Sequence, residues 1–275
     1  MNKYLPNIIG ALVNATALVS SEYAAKQAIN MFSTPRKGKL TGEEIEYLNA
    51  ATTEQIPYDG ILIKTYKWEG IKETVLLAHG WESNSYRWKD LIDILRSENY
   101  TVLALDAPAH GGTTGKYFNA LVYSECINLV TQKHHVNIII GHSVGGMSTI
   151  FSHYKNPIAS VEKLILIGAM ADFIGVFKNY KKMMGYSEKV SKALDHYILK
   201  HYDHLPEYFS AANFSEDLAT KGLIIHDKGD AIIPFSDALK FQKKYTNAKL
   251  ITTEGYDHSM KSEEVYKHIL NFINA

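Results

Sequence analysis

Strand-like and helix-like segments alternate along most of this chain, and this alternation limits the folds that it can adopt. Apolar β-type runs are followed in turn by segments with helical periodicity. We predict strands at 61–68, 75–79, 101–106, 136–141, 163–168, 222–227 and 248–253. We predict helices at 88–98, 117–133, 145–155, 235–245 and 263–273. The alternation indicates an α/β fold, with a mostly parallel sheet and helices on both of its faces.

The length of 275 residues favours a single main domain, which we expect to span 59–275. One segment, about 169–216, places nearly fifty residues between two predicted strands and has helical, tyrosine-rich content. We interpret it as a helical cap insertion that closes over the strand ends and supplies an apolar wall for substrate. A peripheral pair of helices that only packs against the core is the alternative.

Residues 1–58 are predicted to form an N-terminal helix and a polar connector, in which a short helix is an open alternative. Residues 5–19 are mildly apolar behind Lys3, and Ala-Thr-Ala at 15–17 is similar to a signal-peptide cleavage site. The helical pattern continues to Phe32, which favours a helix over an export signal. This helix fits packing against its own core or against a partner subunit, so a homodimer stays open.

Composition narrows the classes of function. Lys and Arg number 29, as do Asp and Glu, so no net basic field favours nucleic acid. No window of about 18 residues is continuously apolar, so we expect no membrane span. The one cysteine, Cys126, lies in an apolar stretch, which fits a buried thiol in a reducing compartment. We expect a cytoplasmic protein with a small-molecule substrate and with neither nucleic acid nor membrane as a partner.

The box Gly-His-Ser-Val-Gly at 141–145 follows one predicted strand directly and opens the next helix. This context predicts a nucleophile elbow, a sharp strand-to-helix turn that exposes the Ser143 hydroxyl. A serine needs a general base to become a nucleophile, and the base needs a third group to fix its tautomer. We assign His258, after the last strand, as the base and Asp230, four residues before a proline, as the acid. Asp227, nearer the strand end, is the rival acid.

An oxyanion hole requires backbone N–H groups near the serine. We predict that Val144, just after the serine, and Trp81, in the His-Gly-Trp loop after strand 75–79, supply them. His79 and His142 are expected to hold loops by hydrogen bonds rather than to do chemistry. The glycines of loop 105–115 do not meet the phosphate-loop pattern. We expect Asp106 and His110, in this loop, to brace it instead.

Together these motifs make the chain resemble the α/β-hydrolases over residues 59–275, in the family's order and at about its spacings. The resemblance implies an α/β-hydrolase fold, a catalytic triad of Ser143, His258 and Asp230, a covalent acyl-enzyme and no cofactor. The chain departs from the family pattern at Asp227 and Ala109, where glycine is common. The departure at Asp227 leaves this residue as a second candidate for the acid of the triad.

The leading hypothesis is a serine hydrolase, similar to carboxylesterases, that cleaves an ester or thioester with a small to medium, mainly apolar acyl group. Amides, C–C bonds of diketones and short peptides are alternative substrates. From another class, the alternative is a ligand-binding or receptor-like protein that keeps the triad and turns over slowly. A metal site near His196, His201, Asp203 and His204 is a third idea, but no second pair of ligands supports it, and we expect no metal.

Overall fold

The computed structural model describes residues 4–275 and is built around a mixed sheet. In the described chain the sheet has eight strands, in the order β1-β2-β4-β3-β5-β6-β7-β8. The pairs β1/β2 and β2/β4 are antiparallel, and all other neighbours are parallel. The strands are β1 (Thr52–Tyr58), β2 (Ile61–Trp68), β3 (Lys72–Ala78), β4 (Tyr100–Leu105), β5 (Ile138–His142), β6 (Lys163–Ile167), β7 (Lys221–Asp227) and β8 (Ala248–Thr253).

Helices connect the parallel strands, as βαβ crossovers require. Within residues 4–275 the α-helices are α1 (Leu5–Val19), α2 (Ser21–Ser33), α3 (Gly42–Leu48), α4 (Lys89–Ser97), α5 (Ala120–His134), α6 (Val144–Lys155), α7 (Phe173–Met184), α8 (Glu188–Tyr202), α9 (Ala211–Phe214), α10 (Ser236–Lys244) and α11 (Glu263–Ile273). The predicted α/β class, with a mostly parallel sheet, is confirmed.

The central strands are buried on both faces because helices cover each side. Val75 and Leu77 of β3 belong to the hydrophobic cluster that includes α4 and α11. Leu76 between them is also fully buried, and alternation along a strand directs its side chain to the opposite face. Helices α5 and α6 contact β3 and β5 and lie outside that cluster. The parallel strands therefore end together at one buried edge, where the loops that follow them meet.

The chain divides into two compact units. The larger contains Pro35–Ala171 and Ala211–Ala275, and therefore the whole sheet. The smaller contains the described residues up to Thr34 together with Asp172–Ser210. Its main elements are α1, α2, α7 and α8. Helices α1 and α2 thus belong to the same packed unit as α7 and α8 of the insertion at about 169–216, whereas α9 belongs to the larger unit.

Contacts inside the smaller unit join segments far apart in sequence. The Asn14 side chain donates a hydrogen bond to the carbonyl of Gly185 and accepts one from the Ser187 N–H. Gly10 packs directly on the backbone at Met184, because an added Cβ would lie 1.6 Å from the Met184 carbonyl oxygen. The ring of Phe32 lies against α7. These contacts explain why a glycine and an asparagine interrupt an otherwise apolar N-terminal segment.

Two local predictions were wrong. The single N-terminal helix is in fact two helices, because Ser20 adopts an extended conformation and caps the second helix by accepting a hydrogen bond from the Tyr23 N–H. The polar connector contains α3 and also the strand β1, which pairs antiparallel with β2 at the edge of the sheet. Only Ile56 of β1 is buried, so its pattern is typical of an edge strand with little apolar content.

Among residues 4–275, no helix has both the length and the apolar character that crossing a membrane requires. Lys3, which entered the signal-peptide interpretation, lies outside the described residues. Cys126 is fully buried, as its apolar surroundings predicted, and burial raises the pKa of its thiol to about 12.

Candidate active site

Ser143 lies between β5 and α6 in a strained conformation, with φ 56° and ψ −124°. Its N–H is held by the Ile167 carbonyl at 2.9 Å. The glycines of the box are required by close packing: a Cβ at Gly141 would lie 2.6 Å from the Gly146 Cα, and one at Gly145 would lie 2.3 Å from the Ala78 carbonyl oxygen. A non-glycine residue in such a conformation costs about 1–3 kcal/mol and persists only where its surroundings enforce it.

His258 and Asp230 form a direct pair. His258 Nδ1 donates a hydrogen bond to Asp230 Oδ2 at 2.7 Å. The other oxygen, Oδ1, accepts from the N–H groups of Ile232 at 2.8 Å and Ile233 at 2.9 Å. The carboxylate is therefore fixed on one side by backbone and aimed at the imidazole on the other. This arrangement leaves His258 Nε2 as the unprotonated nitrogen of the neutral ring.

Asp227, the rival acid, has other partners. Its Oδ2 accepts from the Tyr256 N–H at 2.9 Å and the Thr253 hydroxyl at 3.0 Å, and its Oδ1 accepts from the Gly229 N–H. These bonds tie the loop after β7 to the loop after β8. Of the two acids that the sequence left open, only Asp230 contacts His258 in the described structure.

The electrostatics of the pair follow from these contacts. Burial alone would raise the pKa of Asp230, but the hydrogen bonds from His258 and from two backbone N–H groups outweigh it, and the pKa is lowered. Asp230 is therefore ionised throughout the neutral range. An ionised carboxylate at this position stabilises a positive charge on the imidazole of His258.

Ser143 and His258 are brought together by the residues beside them. His142 Nε2 donates a hydrogen bond to the His258 carbonyl at 2.8 Å, and the two rings lie 4.7 Å apart. Gly168, next to the residue that holds the Ser143 N–H, faces the pair: a Cβ there would lie 3.5 Å from both Asp230 Oδ2 and His258 Nδ1. Within the described chain no hydrogen bond joins the serine hydroxyl to His258, and such bonds often tighten only when substrate binds.

The two predicted oxyanion donors lie on segments that meet at the elbow. A Cβ at Gly80 would lie 3.0 Å from the Ser143 Cβ, so the loop after β3 runs directly beside the serine. Trp81 follows in that loop, and Val144 is the first residue of α6. In residues 4–275, neither the Trp81 N–H nor the Val144 N–H donates a hydrogen bond to the protein. Both are therefore available to an anionic ligand.

Buried polar groups brace the loops around the site. Asp106 accepts from the Ser85 N–H and hydroxyl, the Tyr66 hydroxyl and the Gly112 N–H, and its burial raises the pKa of the carboxyl. His79 Nε2 accepts from the Ala107 N–H at 2.9 Å, and burial lowers the pKa of His79 to about 3. These contacts confirm that Asp106 and His79 hold loops.

His110 and His142 also hold loops, as the sequence analysis predicted. His110 Nε2 accepts from the Glu82 N–H at 3.0 Å and thereby joins the loops after β3 and β4. Burial is the main reason that the pKa of His142 lies well below its usual value, so its ring stays neutral. A neutral ring donates one hydrogen bond, and His142 uses it on the loop of His258.

Sequence reasoning missed two residues near the candidate base. His226, the next-to-last residue of β7, is fully buried with Nε2 3.5 Å from Asp230 Oδ2, and it donates to the Ile233 carbonyl. Arg87 donates from its guanidinium to the carbonyl of Ser259, the residue after the histidine. The position of His226 four residues before the acid was a usable signal, whereas nothing local indicated Arg87.

Two of the histidines considered above as metal ligands, His201 and His204, stack on tyrosine rings. The ring of His201 stacks on Tyr197 with centroids 3.9 Å apart, and that of His204 stacks on Tyr208 at 3.5 Å. In the part of the chain that the structure describes, no three His, Cys, Asp or Glu side chains converge as a metal site would require.

Comparison with known proteins agrees with this arrangement. The model of the alpha/beta hydrolase family matches residues 75–260, a range that contains Ser143, Asp230 and His258. This chain belongs to the alpha/beta hydrolase family. A comparison with curated protein sequences finds no match.

Solved structures extend the likeness to most of this hydrolase. An esterase from Exiguobacterium antarcticum is 17% identical, with a TM-score of 0.64, over 82% of this chain and 100% of that one. A bromoperoxidase from Bacillus anthracis is 16% identical, with a TM-score of 0.63, over 82% and 100%. A thioesterase domain from the curacin biosynthetic pathway is 14% identical, with a TM-score of 0.62, over 82% and 100%. At such identities the likeness shows the fold, and activity has to be argued from the site.

Proposed function

We propose that this alpha/beta hydrolase is a serine hydrolase that cleaves carboxylic esters or thioesters through an acyl-enzyme on Ser143. Its catalytic residues are Ser143, His258 and Asp230. The observation that carries the proposal is the 2.7 Å hydrogen bond from His258 to Asp230. The hydrogen bond from His142 to the His258 carbonyl holds the loop of this histidine beside the elbow. A histidine held in this tautomer can accept the proton of a serine hydroxyl.

In the proposed mechanism the Ser143 Oγ attacks the carbonyl carbon while His258 Nε2 takes the hydroxyl proton. The resulting imidazolium is stabilised by the ionised Asp230. Collapse of the tetrahedral intermediate breaks the C–O or C–S bond, and His258 returns the proton to the leaving alcohol or thiol. Water then attacks the acyl-enzyme with His258 again as base, which releases the acid and restores the serine.

The developing oxyanion is stabilised by the backbone N–H groups of Trp81 and Val144. Loss of one such donor typically costs about 10²- to 10³-fold in turnover. Because a side-chain substitution at Trp81 leaves its N–H in place, such a variant tests the shape of the pocket rather than the oxyanion hole. The support for this assignment is the proximity of Gly80 to Ser143 and the availability of both N–H groups.

The surroundings of the site favour an apolar acyl group of small to medium size. Trp81 is 38% exposed beside the elbow, and its ring packs edge-to-face on Phe118 with centroids 5.4 Å apart. Ile232, beside Asp230, is 66% exposed. These groups offer apolar contact and no fixed charge that would attract a polyanion. The proposal includes a cytoplasmic location, which the single buried cysteine supports.

The test is intact-mass analysis after incubation with a fluorophosphonate probe. The wild type should gain one adduct, while Ser143→Ala and His258→Ala should gain none at matched times. Ser259→Ala is the control, because Ser259 is exposed next to the histidine and its carbonyl contact with Arg87 does not depend on the side chain. Labelled wild type then justifies a screen of esters and thioesters of increasing acyl length.

Folded wild type that stays unlabelled would contradict the proposal. A protein that binds esters stoichiometrically without consuming them would instead be the receptor-like alternative. Turnover separates the two, since an enzyme consumes its ligand and a receptor is only stabilised by it. Circular dichroism and thermal unfolding of each variant exclude loss of fold as the reason for lost labelling.

A further inference from the structure

Helix α1 has two apolar faces, and only one of them packs inside the smaller unit. The packed face contains Gly10, Val13 and Ala17. The opposite face follows helical spacing along the whole helix and is strongly exposed. The large residues on it are Leu5 (40% exposed), Ile8 (55%), Leu12 (65%), Leu18 (78%) and Val19 (94%). None of the 15 residues of α1 carries a charge.

This exposed face, which we call the α1 face, is a row of large apolar side chains along one helix rather than a set of scattered residues. Leu18 and Val19 project at the point where α1 turns into α2, and Tyr23 in the first turn of α2 adds a ring that is 56% exposed. Apolar side chains that adjoin one another on a surface indicate an interaction site, whereas single scattered ones do not. We therefore expect the α1 face to be covered by a binding partner.

A row of basic side chains on α8 lies next to the end of this face. Ser21 and Glu22, the second and third residues after Val19, border a groove whose other wall is α8. The basic residues of that wall are Lys189, Lys192, His196 and Lys200. Lys192 pairs with Glu188 and Lys200 pairs with Glu22, both at 2.7 Å. Lys189 has no ion-pair partner in the part of the chain that is described, so the wall carries a net positive charge.

We propose that the α1 face and the α8 lysines form one docking surface for a lipid bilayer with anionic headgroups. Helix α1 lies in the interface, with Leu12, Leu18 and Val19 at the depth of the acyl boundary. The lysines lie over the headgroups. An interfacial helix is distinct from the spanning segment that the sequence excluded, because it needs only one apolar face. The proposal therefore departs from the sequence-based expectation of no membrane partner.

A second copy of the chain fits this surface less well than a bilayer does. Two α1 helices paired across a symmetry axis would meet along a strip of about 22 by 10 Å. Stable interfaces bury about 800 Å² per partner, which is well above what one helix face supplies. The lysines beside the face also favour an anionic partner over a like-charged copy.

The test is flotation of the full chain with vesicles of phosphatidylcholine alone and of phosphatidylcholine with phosphatidylglycerol, at low ionic strength. We expect binding to the anionic vesicles and little to the neutral ones. Leu12→Gln/Leu18→Gln should lower the partition coefficient at least about tenfold, because each leucine loses its transfer into the acyl boundary. The matched control is Ile71→Gln/Leu239→Gln, which replaces two exposed apolar residues of the larger unit.

Charge is tested separately. Lys189→Gln/Lys192→Gln should weaken binding about thirtyfold, since each lysine near an anionic surface contributes roughly fivefold. The control Lys243→Gln/Lys249→Gln removes the same charge from exposed sites of the larger unit and should bind like the wild type. Circular dichroism and thermal unfolding show that each variant is folded. Docking does not depend on the chemistry of Ser143, so either proposal can fail alone.

Three results would overturn the docking proposal. The first is a wild type that floats with neither vesicle. The second is equal binding to both vesicle compositions, which would leave no role for the lysines. The third is a wild-type dimer by light scattering that Leu12→Gln/Leu18→Gln converts to a monomer, because the occupant of the α1 face would then be a second copy.

Discussion

Replacement of Asp230 by asparagine is the sharpest test of the proposed site, because it changes charge and almost nothing else. In Asp230→Asn the amide oxygen can keep both hydrogen bonds from the N–H groups of Ile232 and Ile233. The amide nitrogen then faces His258 Nδ1, where the carboxylate oxygen stood at 2.7 Å. An amide N–H donates, so it selects the tautomer in which Nδ1 is the acceptor and Nε2 carries the proton. In that tautomer His258 cannot accept the serine proton.

Two effects determine the magnitude. Loss of the carboxylate removes a charge about 4 Å from the centre of the developing imidazolium, worth about 4 kcal/mol at an effective dielectric constant near 20. That alone is roughly a 10³-fold effect. The wrong tautomer adds to it, and removal of the charge in this manner costs about 10⁴-fold in serine triads. We therefore expect a 10³- to 10⁴-fold decrease in the second-order rate constant of fluorophosphonate labelling, followed by time-resolved intact-mass analysis.

The matched control is Asp227→Asn, three residues away in the same loop. Asp227 accepts from Tyr256, Thr253 and Gly229 and does not touch His258. Its replacement should reduce stability by about 1–3 kcal/mol and leave the labelling rate within about tenfold of wild type while the protein is folded. If Asp227→Asn lost as much labelling as the Asp230 variant, or more, the assignment of the acid would be wrong.

Three further predictions concern stability. Gly145→Ala should unfold the protein or lower its free energy of unfolding by more than about 3 kcal/mol, because the new Cβ would lie 2.3 Å from the Ala78 carbonyl oxygen. Gly42→Ala, whose new Cβ would meet nothing within 4 Å, should raise the free energy of unfolding by about 0.5–1 kcal/mol. Urea unfolding measures both changes. Ala109→Gly should be neutral or stabilising by up to about 1 kcal/mol, since Ala109 has φ 67°; a clear loss of thermal stability would contradict this. Burial would raise the pKa of Asp227, but its hydrogen bonds outweigh burial and lower it. The ionised Asp227 therefore stabilises the folded protein above the unfolded pKa of about 3.9, and this stabilisation is lost as the pH falls through the folded pKa. The stability difference between wild type and Asp227→Asn should thus shrink between pH 6 and pH 3; a constant difference would refute the cause given.

The strands and helices of the core were predictable because each has a local signal. Buried parallel strands are continuous apolar runs, and the predicted strand at 248–253 and helix at 263–273 match β8 and α11 in their bounds. The strand β1 was missed since an edge strand with one buried residue has no such run. The grouping of α1 with α7 was also beyond the sequence. It depends on contacts such as that of Asn14 with Gly185, which no local pattern reports.

The candidate site was predictable in its residue types and only partly in its contacts. The box around Ser143 and the loop positions of Asp230 and His258 carried the assignment. Spacing did not choose between Asp227 and Asp230, because both lie in one loop within three residues. The choice depends on which backbone N–H groups donate hydrogen bonds to each carboxylate. These contacts form only in the folded loop and cannot be read from the spacing of residues.

The strained residues of the site are held in place by hydrogen bonds from the segments around them. Ser143, Asp257 and Met260 all have positive φ, at 56°, 50° and 54°. Such residues persist only where the surrounding structure enforces them. Here the Ser143 N–H is held by Ile167 of the central sheet, and the histidine loop is held by the guanidinium of Arg87. Loss of either contact would let the strained loops relax and would displace the proposed reacting groups without removing any of them. A residue that takes no part in the chemistry can therefore change the reaction rate through the position of those groups.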